Sequence, residues 1–169
     1  MSVVQAGAPE LRPPAHRLDR RVVRYWTLRA GGGWLLLLVA QSVWLLLAHD
    51  GRRDAHLVAL LVTAVVGVAH TCVMPSWRYR VHRWEATPDA LFTQTGWLVE
   101  DRRIAPVSRI QTVDTTRGPL EQVLGLTNVT VTTASAAGPL IIQGLDHTTA
   151  SELVAELTRL AQDTEDDAT

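Results

Sequence analysis

Six histidines are the first candidates for chemistry, because imidazole ligates metals and moves protons near neutral pH: His16, His49, His56, His70, His82 and His147. A metal needs several convergent ligands. No two of the six lie three or four residues apart on a predicted helix, and no such ligand set emerges. His56 and His70 share one apolar run but stand roughly 21 Å apart along a helix axis, too far to share an ion. Each lies near an end of that run, where it reaches the interface. Cys72 is the single cysteine, so there is no disulfide framework and no CxxC pair. Ser108, Asp114 and His147 supply the residue types of a hydrolase triad. No nucleophile elbow or paired-carboxylate motif accompanies them. Gly31 to Gly33 is not a phosphate loop, since no strand precedes it and no Lys-Ser/Thr follows. It suits close helix packing, within a hairpin or with another copy. The sequence predicts no catalytic residue, no cofactor and no metal, hence a non-enzymatic protein.

Arginine is the second candidate, for phosphate recognition by convergent guanidinium donors. All 16 basic residues are Arg, and the formal net charge of −1 gives no global pull toward nucleic acid. Arg24, Arg29, Arg78, Arg80 and Arg83 are the candidate contacts to anionic headgroups, at about 1 kcal/mol per charge near such a surface. Arg102 and Arg103 could join them. Within RIQTVDTTRGPLEQVLGL, Arg109 to Leu126, Asp114 and Arg117 form a candidate polar pair at a partner surface.

The elements that must position these residues begin with two uncharged runs, Ala30 to Ala48 and Ala55 to Met74. As helices they span roughly 28–30 Å, the thickness of the bilayer hydrocarbon core. Their polar residues are scattered rather than striped, and HDGRRD between them has room only for a tight turn. A signal peptide does not fit the first run, because 29 polar, Arg-rich residues precede it. Six arginines (Arg12, Arg17, Arg20, Arg21, Arg24, Arg29) precede the hairpin and three follow it, against Arg52 and Arg53 in the turn. That bias places both termini in the cytoplasm, in a multi-pass protein of the cell (inner) membrane. Trp34 and Trp77 fall near the headgroup levels, and Pro75 is expected to end the second helix.

From Arg78 onward the texture changes to short β-prone runs broken by turn signals. RYRVHRWEA alternates as a strand would. TPDA and SAAG read as turns, and Gly96 marks a bend. NVTVTTA places Val129, Val131 and Thr133 on one face. Trp84, Phe92 and Trp97 are expected mostly in the core, with one or two of them available as a docking face for a partner. Ile110 and Val113 fall on opposite parities of one strand, which predicts a bulge or burial on both faces. Pro119 suits the first position of a short helix with Leu120, Val123 and Leu124 on one face, and Gly125 suits its stop. After Asp146, an N-cap candidate, Ala150, Leu153, Val154, Leu157, Leu160 and Ala161 recur at helical spacing. Four segments result: an Arg-rich segment 1–29, a hairpin 30–74 (spans 30–48 and 55–74), a domain 78–162 and an acidic tail 163–169. Residues 1–11 and the tail are expected to be disordered.

Six or seven strands closed by a C-terminal amphipathic helix resemble a pleckstrin-homology-like (PH-like) fold, a bent antiparallel sheet with a helix over its open end. PVSRIQTVDTTRGPLEQVLGLTNVTVTTASAAG, then IQGL and a helix, is similar to the bacterial PH-like membrane proteins called YdbS-like, which carry two spans before one such domain. The resemblance covers about residues 17–162. It implies fold and membrane placement rather than a mechanism. It also implies a membrane-protein partner carrying repeated domains of this kind.

The phosphoinositide-binding PH site places basic residues on the loop between its first two strands, where this chain has ATPDAL. Specific phosphoinositide recognition is therefore disfavoured. Two readings follow. In the first, the hairpin tethers a PH-like module at the inner face of the membrane for protein interaction or self-assembly, in envelope maintenance or stress response. In the second, the domain contacts or senses anionic membrane lipids.

Overall fold

A computed structural model of the chain describes residues 12–47, 51–135 and 138–166. Helices α1 (Arg21–Leu47, 27 residues) and α2 (Arg53–Val81, 29 residues) form an antiparallel hairpin. Their lengths are roughly 40 and 44 Å, against the ~30 Å that a hydrocarbon core requires. The excess is a stem at the end that meets the domain. Away from the stem the outer surface is apolar and exposed, with Leu35, Leu36 and Leu46 on α1 and Leu61, Val65 and Val68 on α2. Polar side chains turn inward instead. Gln41 Nε2 donates to Thr63 Oγ1 at 3.1 Å, and Trp34 Nε1 donates to His70 Nδ1 at 3.1 Å.

The glycine that lets the helices approach is Gly67. A Cβ there would come within 3.0 Å of the Trp34 ring. Of the Gly31 to Gly33 run only Gly31 faces α2, where a Cβ would lie 3.7 Å from the Thr71 methyl, while Gly32 and Gly33 face nothing within 4 Å.

Pro75 does not end the second helix. It is buried inside α2, which continues to Val81, so Tyr79 to Val81 are helical rather than the start of a strand. Domain contacts of Arg78 and Tyr79 compensate for the backbone bond that proline removes.

The domain has two antiparallel sheets. The first has the order β1-β2-β3-β4, from β1 (His16–Arg17), β2 (Arg83–Ala86), β3 (Ala90–Gly96) and β4 (Glu100–Pro106). A 3-10 turn, Val107–Arg109, leads to the second sheet. It has the order β5-β6-β7, from β5 (Ile110–Thr116), β6 (Leu126–Thr133) and β7 (Leu140–Asp146). The predicted bulge is present, since the β5–β6 register shifts between Ile110 and Thr112. Val129, Val131 and Thr133 share the buried face of β6. Helix α3 (Pro119–Leu124) begins at its proline and stops at Gly125 in the left-handed region. Val123 is exposed rather than on a buried face.

Helix α4 (His147–Asp166) packs on β5, β6 and β7 through Ala150, Leu153 and Leu157, with Val154 partly buried. Asp146 caps it, its Oδ2 accepting the Thr148 N–H at 2.9 Å. The helix carries on to Asp166, through the start of the acidic stretch expected to be a tail. Residues 1–11, 48–50, 136–137 and 167–169 lie outside the described residues. They include the N-terminal segment and the end of the tail for which disorder is expected, and parts of the HDGRRD and SAAG segments.

Of the three large aromatics, only Trp84 is core. Phe92 is half-buried and Trp97 is exposed. In their place Leu18, Val22 and Trp26, which precede the hairpin's apolar run, join Trp84, Leu91, Val131, Leu145 and Leu157 in one cluster. The architecture is the expected one, a two-helix hairpin followed by a PH-like domain, but one core serves both parts.

Candidate functional site at the junction of hairpin and domain

The first turns of α1 and the last turn of α2 meet the open edge of the domain. Arg78 lies over the Trp26 ring, 4.4 Å from its centroid, and its Nη2 donates to Gln143 Oε1 at 3.0 Å. His82 stacks edge-on against Trp26 with ring centroids 5.3 Å apart. Its Nδ1 lies 2.8 Å from the Arg78 carbonyl, which can only accept, so Nδ1 carries the proton. Nε2 then accepts from Arg78 Nε at 3.4 Å. Burial, with the Arg78 charge beside it, pushes the His82 pKa down to about 4, so the ring is neutral at pH 7.

Arg21 is a second node. It pairs with Asp19 at 3.0 Å, pairs with Asp146, and donates to the Leu124 carbonyl at 3.2 Å. One guanidinium thereby ties the start of α1 to the end of α3 and the cap of α4. Its hydrogen bonds hold the Asp19 and Asp146 carboxyls below their ordinary range. A third cluster runs from Arg29 to the Tyr25 hydroxyl (3.0 Å) and on to Glu121. Burial pushes the Glu121 carboxyl up. Hydrogen bonds from Tyr25, its own backbone N–H and Asn128 outweigh that, and the net shift is downward.

The predicted headgroup contacts divide into two sets. Arg24, Arg29 and Arg80 are exposed on the helical stem. Arg78 is committed to Trp26 and Gln143, and Arg83 Nη1 donates to the Pro14 carbonyl at 3.4 Å. Arg102 and Arg103 pair with Glu100 (3.1 Å) and Asp101 (2.9 Å). Asp114 and Arg117 take different partners. Asp114 accepts from the Thr112 hydroxyl at 3.1 Å, while Arg117 Nε donates to the Leu126 carbonyl at 3.1 Å. Nor are Ser108, Asp114 and His147 joined, since His147 Nδ1 meets the Thr127 hydroxyl at 3.3 Å.

Two features escape sequence reasoning. A groove of about 430 Å³ crosses the outer face of the first sheet, lined by Pro14, Glu85, Phe92, Arg102 and Ile104 among others. Its floor comes from one cross-strand ladder, Glu85↔Phe92↔Ile104, which only the register reveals. The other is the β3–β4 turn, which rests on α2. Three consecutive apolar residues after Gly96 were its signal in the sequence.

The family model described as a bacterial PH domain matches residues 34–161, which includes most of the hairpin as well as the domain. The UPF0699 transmembrane protein YdbS of Bacillus subtilis (strain 168) is 35% identical over 95 residues, covering 56% of this chain. The match spans 58% of that relative's own length. No solved structure matches. A family match over most of the chain, a relative of transmembrane type and two helices of spanning length agree: this is a membrane-associated member of the bacterial PH domain family.

Proposed function

We propose that the chain is a non-enzymatic module that presents its PH-like domain, in a fixed orientation at the inner face of the cell membrane, to a membrane-resident protein or a second copy of itself. One observation carries the reading: hairpin and domain share a core through Leu18, Val22 and Trp26. A domain on a loose tether samples many orientations. Here α1 enters the core and α2 reaches Val81 without a break, so the outer sheet face keeps one angle to the bilayer. Fixing that angle raises the effective concentration of the docking face for partners confined to the same membrane. The arginine bias of the sequence supports a cytoplasmic position for both termini. Envelope maintenance or stress response is the process in which such a module would serve. Purification of the full chain in mild detergent is expected to give a stoichiometric membrane-protein partner or a homo-oligomer by light scattering. A monomer with no copurifying protein sinks the reading.

A second reading, contact with anionic membrane lipids, is favoured by the exposure of Arg24, Arg29 and Arg80 on the stem. It predicts that the full chain in nanodiscs cross-links to a photoactivatable anionic lipid, and that added salt weakens the capture. Equal capture of a zwitterionic analogue at low salt removes it.

A further inference from the structure

The turn between β3 and β4 is three residues long, Trp97, Leu98 and Val99, and all three are apolar. Leu98 and Val99 are 80% and 79% exposed. Turns that face water carry Gly, Asn, Asp or Ser for conformational and hydrogen-bonding reasons. The neighbouring β2–β3 turn conforms, with Thr87 bonded to Ala90 through both its backbone and its hydroxyl. Gly96 makes the β3–β4 turn possible. Its φ is +129°, and a Cβ there would collide with the Val99 carbonyl, so the tip is held in a tight, defined shape.

The tip is also pinned in place. Trp77 Nε1 donates to the Trp97 carbonyl at 2.8 Å, and the Trp97 ring meets His70 edge-on at 5.9 Å. Both partners belong to α2. Met74, the end of the apolar run, lies between them. His70 lies roughly 12 Å beyond Arg78 along the helix, toward the middle of the span. At that depth α2 exposes its own Val73 and Trp77, apolar side chains on the same helix that carries the tip's partners. The acids that follow, Glu100 and Asp101, are paired with Arg102 and Arg103, which limits the charge carried toward the bilayer.

We propose that the β3–β4 turn is a membrane-inserting wedge, with Leu98 and Val99 in the boundary between headgroups and acyl chains beside α2 and Trp97 at the interfacial level. Its partner is the lipid bilayer. With α1 and α2 it makes a third point of attachment to the bilayer. The inference rests on the membrane placement of the hairpin.

The experiment uses the full chain with Cys72→Ser, reconstituted in liposomes, and one environment-sensitive label at a time. Labels go on Leu98→Cys, on Val66→Cys within the span, and on Glu152→Cys on α4. Quenching by lipids brominated on the acyl chain is expected to be several-fold stronger at positions 98 and 66 than at 152. Quenching at 98 equal to that at 152, with 66 strongly quenched, overturns the wedge and leaves the membrane reading standing. Equal, weak quenching at all three overturns both. A second pair, Leu98→Asp and Val99→Asp, checks the native tip: each should raise proteolytic cleavage of the turn in liposomes, and unchanged cleavage counts against insertion.

Discussion

The two helices of the hairpin enter the domain differently. The first turns of α1 are inside it, where Val22 and Trp26 are buried and Gly144 leaves room for the Val22 side chain. The last turn of α2 stays on its surface, where Arg78 and Tyr79 are half-buried and Arg80 is exposed. Yet α2 is the helix that leads in sequence into most of the domain, whereas α1 follows only the two-residue strand β1. A helix that merely anchors needs only a covalent link, whereas α1 must be present for the core to close. The domain is therefore built around the hairpin rather than hung from it.

The largest test of that asymmetry is Trp26→Ala. It empties the centre of the junction and removes the ring under Arg78 and beside His82, at a cost of about 3–5 kcal/mol. Thermal unfolding in detergent should show it, and a loss no larger than that of a surface substitution would mean that α1 is not part of the core. Gly144→Ala comes next. Gly144 has φ +68°, and a Cβ there would enter the space of Val22. Overpacking of this kind costs roughly 1–3 kcal/mol, with a left-handed penalty in addition. Because the clash is with one side chain, Val22→Ala in the same protein should recover part of the loss. Strict additivity would show that the two do not meet.

Much of the domain was legible in the sequence because it is set locally. The bulge in β5 follows from the parities of Ile110 and Val113, α3 from Pro119 and Gly125, and α4 from the spacing after Asp146. The junction was not legible, because its parts are far apart in the chain. Val22 and Gly144 meet across most of the sequence, and neither carries a local signal for the other. Pro75 misled for a related reason: its local preference for breaking a helix yields to the packing of Arg78 and Tyr79 one turn on. Among the arginines the sequence shows equal charges, but only the fold separates Arg78, which is committed, from Arg80, which is exposed.

His82 turns the same junction into a pH dependence. Its pKa is about 4 in the folded protein and near 6.5 when exposed, so the unfolded chain takes up a proton first. Its contribution is complete above pH 6.5 and is lost as pH falls toward 4. The Asp19, Asp146 and Glu121 carboxyls, held below their ordinary values, act further down the acid limb. Melting temperature should therefore begin to fall above the carboxylate range. His82→Gln should flatten that upper part alone, and an unchanged profile would mean that the ring is not buried neutral.

The smallest effect belongs to the exposed side of the comparison, and its sign depends on what is measured. Arg80→Gln removes an exposed charge on the surface of α2, so stability should stay within about 0.5 kcal/mol. Arg78→Gln removes a charge that covers Trp26, so stability should fall by more, on the order of 0.5–2 kcal/mol for a cation–π contact of this kind. Capture of anionic lipid should rank the other way, with Arg80→Gln losing about 1 kcal/mol of surface attraction and Arg78→Gln little of it. Equal effects of the two substitutions on both measurements would erase the division between a cation that holds the fold and one that faces the membrane.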